Sequence, residues 1–252
     1  MRILVTLLIA SCLSAFLPIP TPKKIRIFLA GDSTMSIKDL RAFPETGWGM
    51  PFVHMWDSSV TIVNLAKNGR STKSFRAEGL WQQILDAAQP GDHVIIQFGH
   101  NDESKDKGDR YSPPDSFQMN LSRFISEARS KQAVPVLVTP VSRRKFDASG
   151  QALPTHAEYS PLVVEVARRE NVLLIDLDEK SRALYQRFGP ENSKWLFLQL
   201  QPGEHPNHPE GKNDNTHFSE LGARLIAQIM WRSLTDSLPD LAARTSQVAF
   251  MK

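Results

Sequence analysis

Ile25-Arg26-Ile27-Phe28-Leu29-Ala30-Gly31-Asp32-Ser33 decides the architecture of this 252-residue chain. A short apolar run ends at a glycine and passes into a polar turn that carries a hydroxyl. Lack of strict alternation marks a strand covered on both faces, since a sheet open to water on one side alternates polar and apolar residues. The pattern recurs at Thr61-Ile62-Val63-Asn64-Leu65, at His93-Val94-Ile95-Ile96-Gln97-Phe98, from Val134 to Val138 and from Val172 to Ile175. Between these runs the apolar spacing is helical. Ala77 to Ala88 presents Leu80, Trp81, Ile84 and Leu85 on one face, and Pro114 to Lys131 presents Phe117, Leu121, Phe124, Ile125 and Ala128. Pro161 to Glu170 follows the same logic, and a last helix starts at about Ser219, a suitable N-cap. Strand–helix alternation of this kind predicts an α/β fold with a mostly parallel sheet of about five strands and helices on both sides.

Bulk properties agree with one sizeable domain. Hydrophobic residues make up 41% of the chain and charged residues 23%, so a packed core is expected. The net charge of +3 is small and scattered, with no basic stripe, which argues against nucleic acid as a partner. A mildly basic protein suits an acidic substrate. The one cysteine, Cys12, lies near the N-terminus, so the predicted domain has neither a disulfide nor a thiolate metal site.

The N-terminal segment carries its own signal. Met1-Arg2 is a short positive start, Ile3 to Ala10 an apolar run too short to span a bilayer, and Pro18, Pro20 and Pro22 follow. Residues 1–22 therefore read as a signal peptide and Pro-rich linker, and residues 23–252 as the folded domain. The chain is expected to be exported: secreted, periplasmic or held at the cell envelope. Ile9-Ala10-Ser11-Cys12 resembles a bacterial lipoprotein signal, and a lipidated Cys12 would attach the protein to a membrane. A monomer is expected.

Chemistry gathers at the strand ends. Ser33 follows the first run, Asn68-Gly69-Arg70-Ser71 the second and Gly99-His100-Asn101-Asp102 the third. Ligands of open α/β sheets bind outside the carboxyl ends of the strands, so one edge receives a Ser, a Gly and an Asn. A backbone N–H together with a side-chain amide is what an oxyanion hole uses, each donor contributing roughly 3–4 kcal/mol to an acyl-transfer transition state. Asp214-Asn215-Thr216-His217 precedes the last helix, with Asp and His spaced to meet across one tight turn. Each segment alone is a common turn sequence. Their joint occurrence at strand ends is the signal.

These blocks resemble the SGNH (GDSL-like) hydrolases, and in particular the rhamnogalacturonan acetylesterase branch. Gly31-Asp32-Ser33-Thr34, Gly47-Trp48-Gly49, the run from Asn64 to Thr72, Gln97 to Asp102 and Asp214 to Phe218 carry the likeness, which spans roughly residues 25 to 235. The resemblance implies a three-layer α/β/α sandwich of flavodoxin-like topology and a triad of Ser33, His217 and Asp214. It implies an oxyanion hole from the Ser33 and Gly69 amides and the Asn101 side chain, with no cofactor and no metal. In the branch resembled, the reaction is removal of acetyl groups from the galacturonate of a pectin, so the expected partner is an acetylated acidic polysaccharide or oligosaccharide. Activity is expected to fall below about pH 6.5, where a free imidazole takes up a proton.

Residues for substrate contact are sought near the same edge. Arg70, Lys73, Arg143 and Arg144 are candidates for an anionic sugar, Trp48 and Phe75 for stacking, and His100 for lining the pocket beside Asn101. Glu204-His205, His208 and Glu210 lack metal-ligand spacing, so the segment from about Leu198 to Asn213 reads instead as a loop closing over substrate, with His205 on it. Two alternatives stay open: an esterase acting on another acetylated glycan such as xylan or on a lipid ester, and a carbohydrate-binding protein without turnover.

Overall fold

A computed structural model describes residues 23–246. The signal-peptide, linker and lipidation readings at residues 1–22 and Cys12 lie outside the described residues. The five expected strands form, each within about a residue of its anticipated bounds: β1 (Ile25–Gly31), β2 (Val60–Asn64), β3 (His93–Gln97), β4 (Val134–Val138) and β5 (Leu173–Ile175). They pair in parallel in the order β2-β1-β3-β4-β5. That order is the flavodoxin-like one, with its switch point beside β1.

Helices cover both faces, giving the three layers. They are α1 (Gly49–Phe52), α2 (Thr72–Ala77), α3 (Leu80–Ala87), α4 (Pro114–Ser130), α5 (Tyr159–Arg169), α6 (Leu177–Asn192), α7 (Glu220–Ser237) and α8 (Pro239–Ala242). Side-chain alternation along β1 shows the division. Ile27 and Leu29 join Phe52, Tyr185, Ile226 and Met230 in one core, whereas Phe28 and Ala30 join Trp81, Phe117, Phe124 and Val163 in the other. Burying each large side chain stabilises the fold by roughly 1.5–3 kcal/mol, and two complete cores explain why Ile27 to Ala30 of β1 and Val94 to Ile96 of β3 are all apolar.

Three local features differ from the sequence reading. The helix expected over 77–88 starts later, as α3 at Leu80, because Gly79 (φ +73°) turns the chain there, and α2, which Ser71 caps in a reciprocal capping box with Ser74, precedes it unanticipated. No helix was anticipated over 177–192, yet Asp176 caps α6 by accepting from the Glu179 amide, and Leu177, Leu184, Tyr185 and Phe188 face the core. The stretch read as a loop is partly a ribbon. β6 (Phe197–Leu200) pairs antiparallel with β7 (Lys212–Phe218), outside the main sheet.

Candidate active site

The carboxyl ends of β1, β2 and β3 lie side by side, with Gly31 opposite Gln97 and Leu29 opposite Asn64. Beyond β1 the chain turns at once. Met35 N and Ser36 N donate to the Asp32 carbonyl, and the Asp32 carboxylate accepts from Thr34 N at 2.9 Å and Thr34 Oγ1 at 2.8 Å. Burial pushes the Asp32 carboxyl up, opposed by the two Thr34 hydrogen bonds and by the neighbouring His156 and Lys38. Beneath the turn, Gln97 Nε2 donates to Thr34 Oγ1 (2.7 Å) and Trp48 Nε1 donates to Gln97 Oε1 (2.9 Å). Gly47 can hold only hydrogen here, since a Cβ would come within 2.0 Å of the Ser36 carbonyl oxygen. The result is a rigid, hydrogen-bonded seat for Ser33.

His217 approaches from β7, a strand rather than the anticipated pre-helix turn. Its Nε2 lies 2.9 Å from Ser33 Oγ, and its Nδ1 lies 2.8 Å from Asp214 Oδ2. The other Asp214 oxygen accepts from the amides of Thr216 (2.7 Å) and His217 (3.0 Å), so the carboxylate closes a local turn within the strand. Burial disfavours ionisation of Asp214. The hydrogen bonds from the ring and amide of His217 and from the Thr216 amide outweigh that and hold the carboxyl down at about 2. An ionised Asp214 keeps the proton on Nδ1 and leaves Nε2 as an acceptor toward Ser33.

Gly69 and Asn101 border the same cavity, of about 420 Å³, as Ser33 and His217. Gly69 has φ +77°, and a Cβ there would meet Arg110 Nη1 at 2.9 Å, so both backbone conformation and space call for glycine. Asn101 Nδ2 donates to the Arg70 carbonyl at 3.1 Å, which fixes its amide against the loop after β2. Asp102 ties the two loops again by accepting from Thr72 N and Oγ1 at 3.0 and 2.6 Å. Burial raises the Asp102 carboxyl to about 7, against the pull of the Thr72 and Ser112 hydrogen bonds. A hydroxyl, an imidazole backed by a carboxylate, and amide donors thus surround one space, the arrangement that acyl transfer requires.

Residues 29–225 match the model of the GDSL-like lipase/acylhydrolase family. The chain belongs to that family. It is 45% identical over 208 residues to the rhamnogalacturonan acetylesterase RhgT of Bacillus subtilis (strain 168), covering 82% of this chain and 88% of that one. The probable rhamnogalacturonan acetylesterase YesY of the same organism is 36% identical over 211 residues, 83% of this chain and 92% of that one. Among solved structures, Bacillus subtilis YxiM superposes with a TM-score of 0.73 at 26% identity, covering 86% of this chain and 58% of that one.

Within this GDSL-like hydrolase the substrate-contact candidates divide. His100 and Arg143 line the Ser33 cavity. The His100 ring is buried, packs edge-on against His156 and lies against the Val141 backbone. Burial, followed by the neighbouring His156, Arg143 and His217, holds this imidazole well below its ordinary value, so it stays neutral. Trp48 and Phe75 do not stack on ligand. Both are fully buried, Trp48 on Gln97 and Phe75 against Phe98 at 5.2 Å. Arg70 turns away to Glu78 (2.8 Å), and Lys73 donates to the Gly108 carbonyl (2.9 Å), so their charges serve loop anchoring. Arg144 lines a different groove. His205 belongs to a tip whose Asn207 donates to the carbonyls of Leu40 and Phe43, so this segment is fastened to residues 40–43 instead of closing over Ser33.

Three residues escaped sequence reasoning. Lys107 and Arg110 line the cavity from the long loop after β3. The run Lys107-Gly108-Asp109-Arg110 on the loop that carries Asn101 was the available signal. Lys38, with its ammonium fully covered, donates to the Ser33 carbonyl and to Asn68 Oδ1 (2.9 Å) and pairs with Glu45 at 2.6 Å. Burial lowers its pKa against the opposing pull of Glu45. It joins the serine turn to the loop that bears Gly69.

Proposed function

We propose that this GDSL-like hydrolase is a serine esterase that removes acetyl groups from rhamnogalacturonan, with Ser33 as nucleophile, His217 as general base and Asp214 as the carboxylate that orients it. The observation that carries the reading is the chain of 2.9 and 2.8 Å contacts from Ser33 through His217 to Asp214. His217 Nε2 takes the hydroxyl proton as Ser33 Oγ bonds to the acetyl carbon. The carbonyl oxygen, now negative, is held by the Ser33 and Gly69 amides and by the N–H of Asn101 that does not bond Arg70. The sugar–oxygen bond to the acyl carbon breaks, and the proton passes from His217 to the departing alcohol. Water, deprotonated by the same imidazole, then cleaves acetyl-Ser33 and releases acetate.

Support for the substrate comes from the 45% identity to RhgT and from the cavity's charges. Lys107, Arg110 and Arg143 line it, Arg143 in an ion pair with Glu103 at 2.8 Å, against one carboxylate, Glu45, which Lys38 pairs; the surplus of cations attracts a uronate and repays little to a long acyl chain. Among the described residues no helix is long and apolar enough to cross a membrane. Export rests on the Met1 to Pro22 pattern, with lipidation of Cys12 as its envelope-bound form.

Acetate release tests the substrate. Acetylated rhamnogalacturonan is expected to be deacetylated well ahead of acetylated xylan at equal acetyl concentration, and a preference for xylan would refute the pectic reading. Asn101→Ala tests the oxyanion assignment separately. It is expected to lower kcat by roughly 10²–10³ while KM moves little, because the donor acts on charge that develops in the transition state. A loss below fivefold, with the protein folded, removes Asn101 from the hole.

A further inference from the structure

We propose that the groove beside the active site, floored by the β6–β7 ribbon and edged by Trp195, is a second glycan-binding site that holds the polysaccharide chain next to the acetylated residue. The inference rests on the glycan-esterase reading and extends it to a surface with no part in the chemistry. The groove encloses about 780 Å³, nearly twice the Ser33 cavity.

Trp195 is 67% exposed, whereas the other four tryptophans, Trp48, Trp56, Trp81 and Trp231, are 0%, 6%, 1% and 8% exposed. The remaining large exposed apolar side chains are aliphatic, so Trp195 is the exposed aromatic ring of that size among the described residues. An indole left in water forgoes the stabilisation that burial brings, and an aromatic ring in a polar groove is suited to the C–H face of a pyranose. Its neighbours supply the hydroxyl partners. The side-chain amides of Gln201 and Asn213 and the Lys212 ammonium line the groove without hydrogen bonds to other protein groups, free to bind alternating donors and acceptors. A protein partner would favour an apolar centre with few unpaired amides, and this groove has the reverse composition.

Position favours a continuous ligand. Asn215 lines the groove and the next residue, Thr216, lines the Ser33 cavity. Arg144 and Arg143 divide in the same way, and Arg144 N donates to the Asn215 carbonyl at 2.8 Å. Consecutive Cα atoms are about 3.8 Å apart, so the two concavities share a thin wall. Gln199, also in the groove, donates to the Asp214 carbonyl at 2.9 Å and thereby reaches the backbone of the triad carboxylate. A chain entering the Ser33 cavity has a polar track on which to continue.

Two readouts test this. With Ser33→Ala as host, deacetylated rhamnogalacturonan oligosaccharides should change tryptophan emission saturably and shield it from acrylamide, because Trp195 dominates the quencher-accessible signal. Trp195→Ala should abolish that response, and Trp195→Phe should restore part of the affinity. In the active enzyme, Trp195→Ala should raise KM for the acetylated polymer roughly tenfold and leave nitrophenyl acetate hydrolysis unchanged. Unshielded emission at millimolar oligosaccharide, or an unchanged polymer KM, overturns the proposal. So does emission that follows protein concentration and not sugar, which would make Trp195 a contact between copies. Wild type that cleaves nitrophenyl acetate but releases no acetate from the polymer defeats the substrate reading instead, and oligosaccharide shielding in the Ser33→Ala host then judges the groove alone.

Discussion

Ser33→Ala is expected to retain the fold and lose roughly 10⁴–10⁶ in kcat for acetyl release. The size follows from the chemistry, since without Oγ no acyl-enzyme forms and the route reverts to direct attack by water. What activity remains comes from the Gly69 and Asn101 donors, which still polarise a bound ester. Folding is spared because the Ser33 hydroxyl bonds only His217 Nε2, at 2.9 Å, while the turn itself is held by Asp32, Thr34 and Lys38. Losing one such partly buried hydrogen bond costs about 1 kcal/mol. Acetate release and thermal unfolding measured on the same preparation separate the two effects. Turnover within tenfold of wild type, on protein free of contaminating esterase, would remove Ser33 from the mechanism.

Asp214→Asn is expected to cost roughly 10⁴ in kcat with the backbone undisturbed. The carboxamide oxygen can keep the bonds now made by Oδ1 to the Thr216 and His217 amides, so the local turn persists. Its NH₂ group then faces Nδ1, where a carboxylate oxygen stands at 2.8 Å. Two donors cannot share that contact, so the imidazole proton moves to Nε2 and points at Ser33, the wrong tautomer for a base. Labelling of Ser33 by a fluorophosphonate should slow in parallel, because it needs the same proton transfer. Labelling at the wild-type rate would show that Asp214 does not set the tautomer.

The depressed Asp214 carboxyl also fixes a pH dependence. With a native value of about 2 against an unfolded value near 3.8, its stabilising contribution is complete above the unfolded value and is lost as pH falls toward 2. Asp214 therefore stays charged down to strongly acidic pH, so its own titration adds no acid limb to activity near neutrality.

Strand positions and the blocks at their ends were legible because they are local. A run such as Val94-Ile95-Ile96 has no stable place except a sheet buried on both faces, and the strand order then brings the Ser33, Gly69 and Asn101 turns to one edge. The Asp214–His217 spacing was equally local, although the strand that carries it was not: β7 exists by pairing with β6, and Lys212-Asn213-Asp214-Asn215 has the composition of a turn.

Tertiary structure decided what each bulky or charged side chain would do. Trp48 and Trp195 are the same residue type near the same site, and no local pattern distinguishes them. Trp48 is drawn inward by Gln97, 49 residues away, whereas nothing covers Trp195. Likewise Arg70 and Arg110 both lie on strand-end loops, and only the placement of Glu78 turns the first away while the bare backbone of Gly69 leaves room for the second. Sequence therefore determined the chemistry available, because hydrogen-bonding groups and backbone freedom are properties of single residues and short turns. Long-range packing determined the specificity surface, because burial depends on what the rest of the chain brings to each face.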